Sequence, residues 1–216
     1  MSRANPILYT AIVMILFALL ATPAGASTMI NNQSDWLALT SGVTTITFEG
    51  LAPTSPTWYS TPQGLTVSGV NIVGVQEGGG NNLAVYAENN ASVSWSGNVL
   101  EGPYGPGYVV ATLPGGVTAV STQLATWGPG NDVLVTLNGI ESFTVHAIHT
   151  PTWVGFTSNT PITSIQFAAT SSKPEIDNFS FGSFSPADSV PEPDTVFLGA
   201  IGLAGLWLGR RLRRFR

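Results

Sequence analysis

The sequence predicts an all-β fold, an antiparallel β-sandwich of jelly-roll type, on three observations. Short apolar runs alternate with polar residues at the two-residue period of a half-buried strand. Gly and Pro, 24 and 15 of the 216 residues, interrupt those runs at close intervals. No apolar stripe of helical period is long enough for a core helix, and no 20-to-50-residue repeat points to a solenoid or propeller.

Taken in order, the chain opens with Arg3, the apolar run Ile7 to Leu20, and Ala24-Gly25-Ala26. These are the basic, apolar and A-x-A regions of a secretory signal peptide over residues 1–26. The mature chain is then expected to begin at Ser27. An uncleaved membrane anchor is the competing reading; the small-residue site and the polar stretch Ser27 to Asp35 speak against it.

Residues 27–189 are expected to form the sandwich domain. They hold ten acidic residues and one basic residue, Lys173, a formal charge of −9; the other six basic residues lie in the terminal segments. Such a surface repels phosphate backbones, so no nucleic-acid partner is expected. The chain has no Cys. It therefore has neither a disulfide frame nor a thiolate metal cluster, and its stability must come from the core.

Within the domain, Ser34 to Leu39 predicts a short helical turn, with Ser34 as the cap and Trp36, Leu37 and Leu39 as its apolar side. Strands follow. Ile46 and Phe48 alternate with Thr45, Thr47 and Glu49. Val133, Val135 and Leu137 alternate with polar neighbours, as do Phe143, Val145 and Ala147. Asn138-Gly139 between the last two runs predicts a two-residue hairpin with a type I′ turn. Further runs are Leu65 to Val75, Leu83 to Ala87, Ser92 to Trp95, Tyr108 to Leu113, Val117 to Ala125, Trp153 to Thr157, Ile162 to Ala168 and Ile176 to Phe181, for about ten strands. In Leu65 to Val75 the apolar parity shifts across Gly69, which predicts a bulge within one strand.

Signatures of catalysis are sparse. There is no G-x-S-x-G elbow, no H-E-x-x-H and no Cys nucleophile. His146 and His149 lie three apart in a predicted strand and point to opposite faces, which reads as two polar surface residues. Gly78-Gly79-Gly80 lacks the Lys-Ser/Thr and the helix of a phosphate cradle and reads as a loop. A glycan hydrolase with two facing carboxylates stays open, because any two of the ten acids can meet in the fold. By parity Asp177 shares a face with Phe179 and Phe181, where a carboxylate must be hydrogen-bonded, paired or bound to a cation.

Aromatic residues in Gly- and Pro-rich loops suit sugar recognition, since their ring faces stack on the C–H faces of pyranoses. The candidates are Trp58 and Tyr59 in a Pro-rich loop, Tyr104 in the loop Gly102 to Gly107, Trp127 before Gly128-Pro129-Gly130, and Trp153, which points opposite to Val154 and Phe156. Packing against the sandwich edges is the alternative for all five. Trp95 shares parity with Val93 and is assigned to the core.

The C-terminal segment 190–216 has three parts. Val190, Pro191, Glu192 and Pro193 precede the apolar run Val196 to Leu208, and Arg210, Arg211, Arg213 and Arg214 follow it within the tail RRLRRFR. Thirteen apolar residues make roughly 20 Å of helix, short for a hydrocarbon core of about 30 Å. The Arg cluster acts as a membrane stop at the cytoplasmic face. In order, spacing and charge this tail resembles the PEP-CTERM sorting signal of Gram-negative bacteria; a permanent tail anchor is the alternative. The resemblance implies recognition of Pro191, Glu192 and Pro193 by a multi-span membrane enzyme, an exosortase. It also implies a transient inner-membrane stage through a short C-terminal transmembrane helix, then delivery to the cell surface or exterior, and an association with exopolysaccharide and biofilm matrix.

TTITFEG near the start of the domain, and PITSIQF followed by IDNFSFG near its end, resemble the opening and closing strands of jelly-roll carbohydrate-binding modules. That resemblance implies a structural calcium at positions matching Glu49 and Asp177, completed by backbone carbonyls because calcium takes six to eight oxygens. The alternative is an Asp177 at the strand's end that accepts from loop amides. The leading expectation is an exported, non-enzymatic matrix or surface protein that binds exopolysaccharide. A structural or adhesive protein without a sugar pocket comes second and a glycan-active hydrolase third.

Overall fold

The computed structural model describes residues 26–52, 56–76, 83–87, 93–105, 107–127, 132–147, 149–169 and 172–185. The signal-peptide residues up to Gly25, the Gly78-Gly79-Gly80 and Gly128-Pro129-Gly130 loops and the whole sorting tail, including Val190 to Pro193 and the Arg cluster, lie outside them. Among the described residues no helix is long and apolar enough to cross a membrane.

In chain order the elements are β1 (Ser27–Ile30), α1 (Gln33–Ala38), β2 (Thr40–Ile46), β3 (Thr57–Tyr59), β4 (Leu65–Val67), β5 (Val70–Gln76), β6 (Leu83–Tyr86), β7 (Val99–Glu101), β8 (Gly107–Thr112), β9 (Ala119–Thr126), β10 (Val133–Leu137), β11 (Glu141–Val145), β12 (Thr152–Ser158), β13 (Ser164–Ala169) and β14 (Pro174–Phe184). They build two antiparallel sheets. The larger runs β1-β12-β9-β14-β7-β6-β3, with β2 also on β14, and the smaller runs β11-β10-β13-β8-β5-β4. The fold is the predicted antiparallel sandwich of jelly-roll type.

The two inner faces meet in one core. Leu100, Val120, Leu124, Phe156, Ile176, Phe179 and Phe181 come from the larger sheet; Ile72, Val109, Ala111, Val133, Val135, Ile165 and Phe167 come from the smaller. Edge-on contact between Phe167 and Phe179, with ring centroids 6.4 Å apart, and a tilted contact of 5.2 Å between Phe143 and Phe156 tie the sheets together. Burial of these rings is the main stabilising term in a chain without disulfides.

Several local expectations change. Leu65 to Val75 is not one bulged strand but the hairpin β4–β5, because Ser68 and Gly69 both take positive φ (50° and 79°) and Val67 pairs directly with Val70. Those angles make the two-residue type I′ turn. The Asn138-Gly139 hairpin forms, yet it holds three residues: Leu137 pairs with Glu141, and Ile140 is left 84% exposed. Asn138 explains the extra residue. Its Oδ1 accepts from the backbone N–H of Thr163 at 2.8 Å and its Nδ2 donates to the Pro161 carbonyl at 3.0 Å, so the turn is tied to the chain entering β13.

The cap of α1 is Asn32, not Ser34: Asn32 Oδ1 accepts from the N–H groups of Ser34 and Asp35 at 2.9 and 3.3 Å. Only Trp36 of the helix is buried, and its indole N–H donates to the Phe156 carbonyl at 3.2 Å; Leu37 is exposed. The first strand signal ends at Ile46, since Phe48 turns to φ 59° while staying buried. Val93 and Trp95 are buried on either side of an exposed Ser94 but form no strand, and Trp58 and Tyr59 lie on β3 rather than in a loop.

Candidate functional site

Residues directly opposite one another in a sheet share a face, so the registers define the face of the larger sheet that points away from the core. Trp58 pairs with Ala84, Ala84 with Glu101, Glu101 with Glu175, and Glu175 with Ala125. This row crosses β3, β6, β7, β14 and β9, about 19 Å at roughly 4.8 Å per strand. The next row holds Tyr86 opposite Val99, and Asp177 opposite Gln123, which in turn faces Trp153.

Two glutamates thus sit side by side on a sheet, and both are buried. An uncompensated carboxylate pair there would be costly, and the chain surrounds it with donors. Lys173 Nζ donates to Glu101 Oε1 at 2.6 Å, and the Trp95 indole N–H donates to Glu175 Oε2 at 2.6 Å. Tyr86 hydrogen-bonds Glu101; burial, then the Glu101 and Glu175 charges, hold its hydroxyl above the usual phenol range. Trp95 also packs with Val93, Val99 and Ala125 in a second small core, with Tyr86 at its margin. The centre of the row is therefore roofed over. Lys173, the one basic residue of 27–189, is consumed by the glutamate pair.

At each end of that roof aromatic rings reach solvent. Trp58 is 51% exposed and meets Tyr86 edge-on at 6.3 Å. Trp127 and Tyr104 are 45% and 46% exposed and meet edge-on at 6.1 Å, with Lys173 Nζ 5.9 Å from the Trp127 ring. The Trp127 backbone is fixed on both sides, its N–H donating to the Lys173 carbonyl at 3.2 Å and its carbonyl accepting from the Ser172 hydroxyl. Gln76 Nε2 donates to the Tyr104 carbonyl at 3.2 Å. The edge-on pairing fixes each ring and leaves ring surface open, the arrangement that stacking on a sugar needs.

The other two aromatic candidates lie differently. Tyr59 is half-buried against the core and donates its hydroxyl to the Leu51 carbonyl at 3.3 Å. Trp153 is half-buried edge-on to Trp36 at 6.2 Å, above Gly155. A Cβ at Gly155 would come within 2.5 Å of Trp36 and 2.6 Å of Trp153, so glycine is what lets the two indoles close over β12.

Asp177 differs from its parity reading. Asn178 takes φ 50° and inserts an extra residue, so the β14–β9 register slips between Asp177 and Ser180. Phe179 and Phe181 face the core, whereas Asp177 stays on the outer face with Glu175. Its two oxygens accept from the Asn178 backbone N–H at 2.6 Å and the Asn178 amide at 3.0 Å, and that amide also donates to Gln123 Oε1 at 2.8 Å. Burial pushes the Asp177 carboxyl up to about 6; the Asn178 N–H opposes the shift and the Glu49 charge adds to it. Glu49 Oε1 accepts from the Asn98 N–H at 2.9 Å, and Asn98 Nδ2 donates to the Phe48 carbonyl at 3.3 Å.

The histidines fall outside strands, because β11 ends at Val145. His146 Nδ1 lies 2.7 Å from Asp132 Oδ1 on the surface, and His149 is exposed with φ 52°. Among the described residues no group of three or more His, Asp or Glu is placed to hold a metal ion.

Sequence reasoning did not find Glu101, Glu175 or the role of Lys173. The signal was the alternation Lys173, Glu175, Asp177, which puts two carboxylates on one face of β14 and a lysine directly before it.

Residues 189–214 match the model of the PEP-CTERM protein-sorting motif. No curated protein matches the chain. Among solved structures, a family 29 carbohydrate-binding module is 16% identical over 64% of this chain and 99% of its own, with a TM-score of 0.37. The family 11 carbohydrate-binding module from Clostridium thermocellum, solved with a β-1,3-1,4-mixed-linked tetrasaccharide, is 16% identical over 61% and 98%, with a TM-score of 0.30. A further module, TmCBM61, solved with β-1,4-galactotriose, is 12% identical over 54% and 89%, with a TM-score of 0.34. At such identity and superposition the likeness assigns no ligand to this chain.

Proposed function

We propose that this chain is an exported protein, processed through its PEP-CTERM tail by an exosortase-type membrane enzyme, whose sandwich domain binds an uncharged exopolysaccharide without catalysis at the cell surface or in the matrix. One observation carries the binding reading: Trp58, braced by the half-buried Tyr86, and the pair Tyr104–Trp127 present exposed rings at the two ends of one outer sheet face. Rings held that way offer apolar surface to pyranose faces at little cost in side-chain entropy.

The class of glycan follows from charge. Residues 27–189 carry ten acids against Lys173, and Lys173 is already engaged by Glu101 at 2.6 Å. A uronate or sulfate chain would meet repulsion with no free cation to offset it, whereas a neutral glycan would not. Catalysis is disfavoured on similar grounds. Glu101 and Glu175 face one another but are both buried, Glu175 against Trp95 and Glu101 against Lys173, while glycosidase carboxylates must reach the bond they cleave.

The test is affinity electrophoresis in gels containing neutral polysaccharides. Trp127→Ala and Trp58→Ala are each expected to weaken retardation about tenfold or more, as loss of one stacking ring does, while melting within about 2 °C of the parent. Unretarded parent protein across neutral glycans would move the reading to a structural or adhesive protein without a sugar pocket.

The same reading includes a structural calcium held by Glu49 and Asp177 with backbone carbonyls. The fit rests on chemistry: the Glu49 charge adds to the burial that holds the Asp177 carboxyl up at about 6, and a carboxylate so disfavoured in its charged form is one that a hard cation would stabilise. The cation would supply the positive charge that this acidic corner lacks. Because the Asp177 carboxyl titrates near 6 in the fold against 3.8 ordinarily, the folded state holds its proton more tightly than the unfolded chain. In chelator, this group's contribution therefore makes stability fall as pH rises between about 4 and about 6. Millimolar Ca²⁺ is expected to abolish that fall and raise Tm at pH 7. Asp177→Asn is expected to raise Tm in chelator and remove the calcium response. A Tm identical in Ca²⁺ and chelator would sink the calcium site.

A further inference from the structure

The nitrogen of Ser27 is already seated on a carboxylate. Its backbone N–H donates to Glu141 Oε2 at 3.0 Å, in a partly buried contact between residues 114 positions apart. Ser27 opens β1, the outermost strand of the larger sheet, where it pairs with Ser158. Glu141 opens β11, the outermost strand of the smaller sheet. The contact therefore bridges the two sheets at an open edge of the sandwich, where no inter-strand ladder joins them.

Ser27 is also the residue that follows Ala24-Gly25-Ala26. Hydrolysis of the Ala26–Ser27 amide adds one water: Ala26 departs with the leader as a carboxylate, and Ser27 keeps the nitrogen, which is protonated to an ammonium at neutral pH. A neutral N–H donor against Glu141 becomes a cation against it. Charge-assisted hydrogen bonds are roughly twice as strong as neutral ones. Residues 27–189 offer Glu141 no lysine or arginine, because their single Lys173 lies on Glu101.

We infer that leader removal completes the fold: the new α-ammonium of Ser27 forms an ion pair with Glu141 that locks β1 to β11, and so closes the edge between the sheets only on the exported side of the membrane. Before cleavage the same position carries an amide and a leader, and the lock is absent. Maturation thereby couples export to the final stability of the domain. This inference rests on the export reading, and the experiment separates the two.

Exported protein is purified, and its intact mass gives the first residue. It is then melted before and after selective acetylation of the α-amine, which keeps the N–H donor and removes the charge. The parent is expected to begin at Ser27 and to lose about 2 °C on acetylation, the size expected of one partly exposed ion pair. Glu141→Gln is expected to start about as low as the acetylated parent and to lose nothing further. High salt gives the same reading without a variant, since 1 M salt screens the pair and should close the gap between acetylated and free parent. Equal losses in parent and Glu141→Gln, or no loss in either, overturn the lock. A first residue other than Ser27 overturns the processing site, and absence of the protein from the exterior overturns the export reading instead.

Discussion

Trp95→Ala is expected to cost the domain about 3–5 kcal/mol, a large part of the stability of a single domain. The indole is 4% exposed and packs against Val93, Val99 and Ala125, so its removal leaves a cavity on the outer face of the larger sheet. It also withdraws the donor that lies 2.6 Å from Glu175 Oε2, in a spot where Glu175 is fully buried opposite Glu101. A buried carboxylate that loses a donor carries a desolvation cost beyond that of the cavity. Urea melts should show a lower midpoint with an unchanged slope, the mark of lost stability rather than an altered unfolded state. Trp95→Phe, which fills much of the space but has no N–H, should lie between the two, at about half the loss. A Trp95→Ala midpoint equal to that of the parent would mean that the segment carrying Trp95 does not cover the sheet.

The second large effect is all-or-none. Replacing Pro191, Glu192 and Pro193 together by Ala should stop processing of the C-terminal tail and leave the protein in the membrane fraction at unprocessed size. The three residues lie within the stretch 189–214 that matches the PEP-CTERM sorting motif. Their loss should not unfold the sandwich, whose last strand ends at Phe184. The apolar run Val196 to Leu208 is short for a permanent span, and the Arg residues that follow it are expected to hold it at the cytoplasmic face until processing. Retention of processing, read by intact mass or immunoblot, would show that the tail is a permanent anchor or is cut by another route.

Strands that bury one face were legible because burial imposes the alternation that reading relies on. Val133–Leu137 and Ser164–Ala169 show it plainly in their burial. Val99–Glu101 does not, since Leu100 faces the core, Val99 packs with Trp95, and Glu101 is held by Lys173 and Tyr86, so all three are buried. That cover comes from a tertiary contact, and no local pattern announces it. Asp177 illustrates a second limit. Parity counts residues, and a single left-handed Asn178 adds one, which turns the following Phe179 and Phe181 to the core while leaving Asp177 outside.

The candidate site was legible in part. Tyr104 and Trp127 stand next to Pro or Gly, where turn chemistry demands no large apolar side chain, Trp58 follows Pro56 by two residues, and all three are exposed. Trp153 and Tyr59 look similar in sequence, but one closes over Gly155 with Trp36 and the other reaches the Leu51 carbonyl. The Glu101–Glu175 pair was hidden because β7 meets β14 only through the sheet order, which sequence periodicity does not encode.

The most direct test of the account is a tryptophan-fluorescence titration of the exported protein with matched neutral and uronate-containing polysaccharides. The account predicts a saturable change with a neutral glycan that is lost in Trp127→Ala, and no saturation with the anionic chains. Saturable binding of the anionic chains, or silence with every neutral glycan, would contradict it.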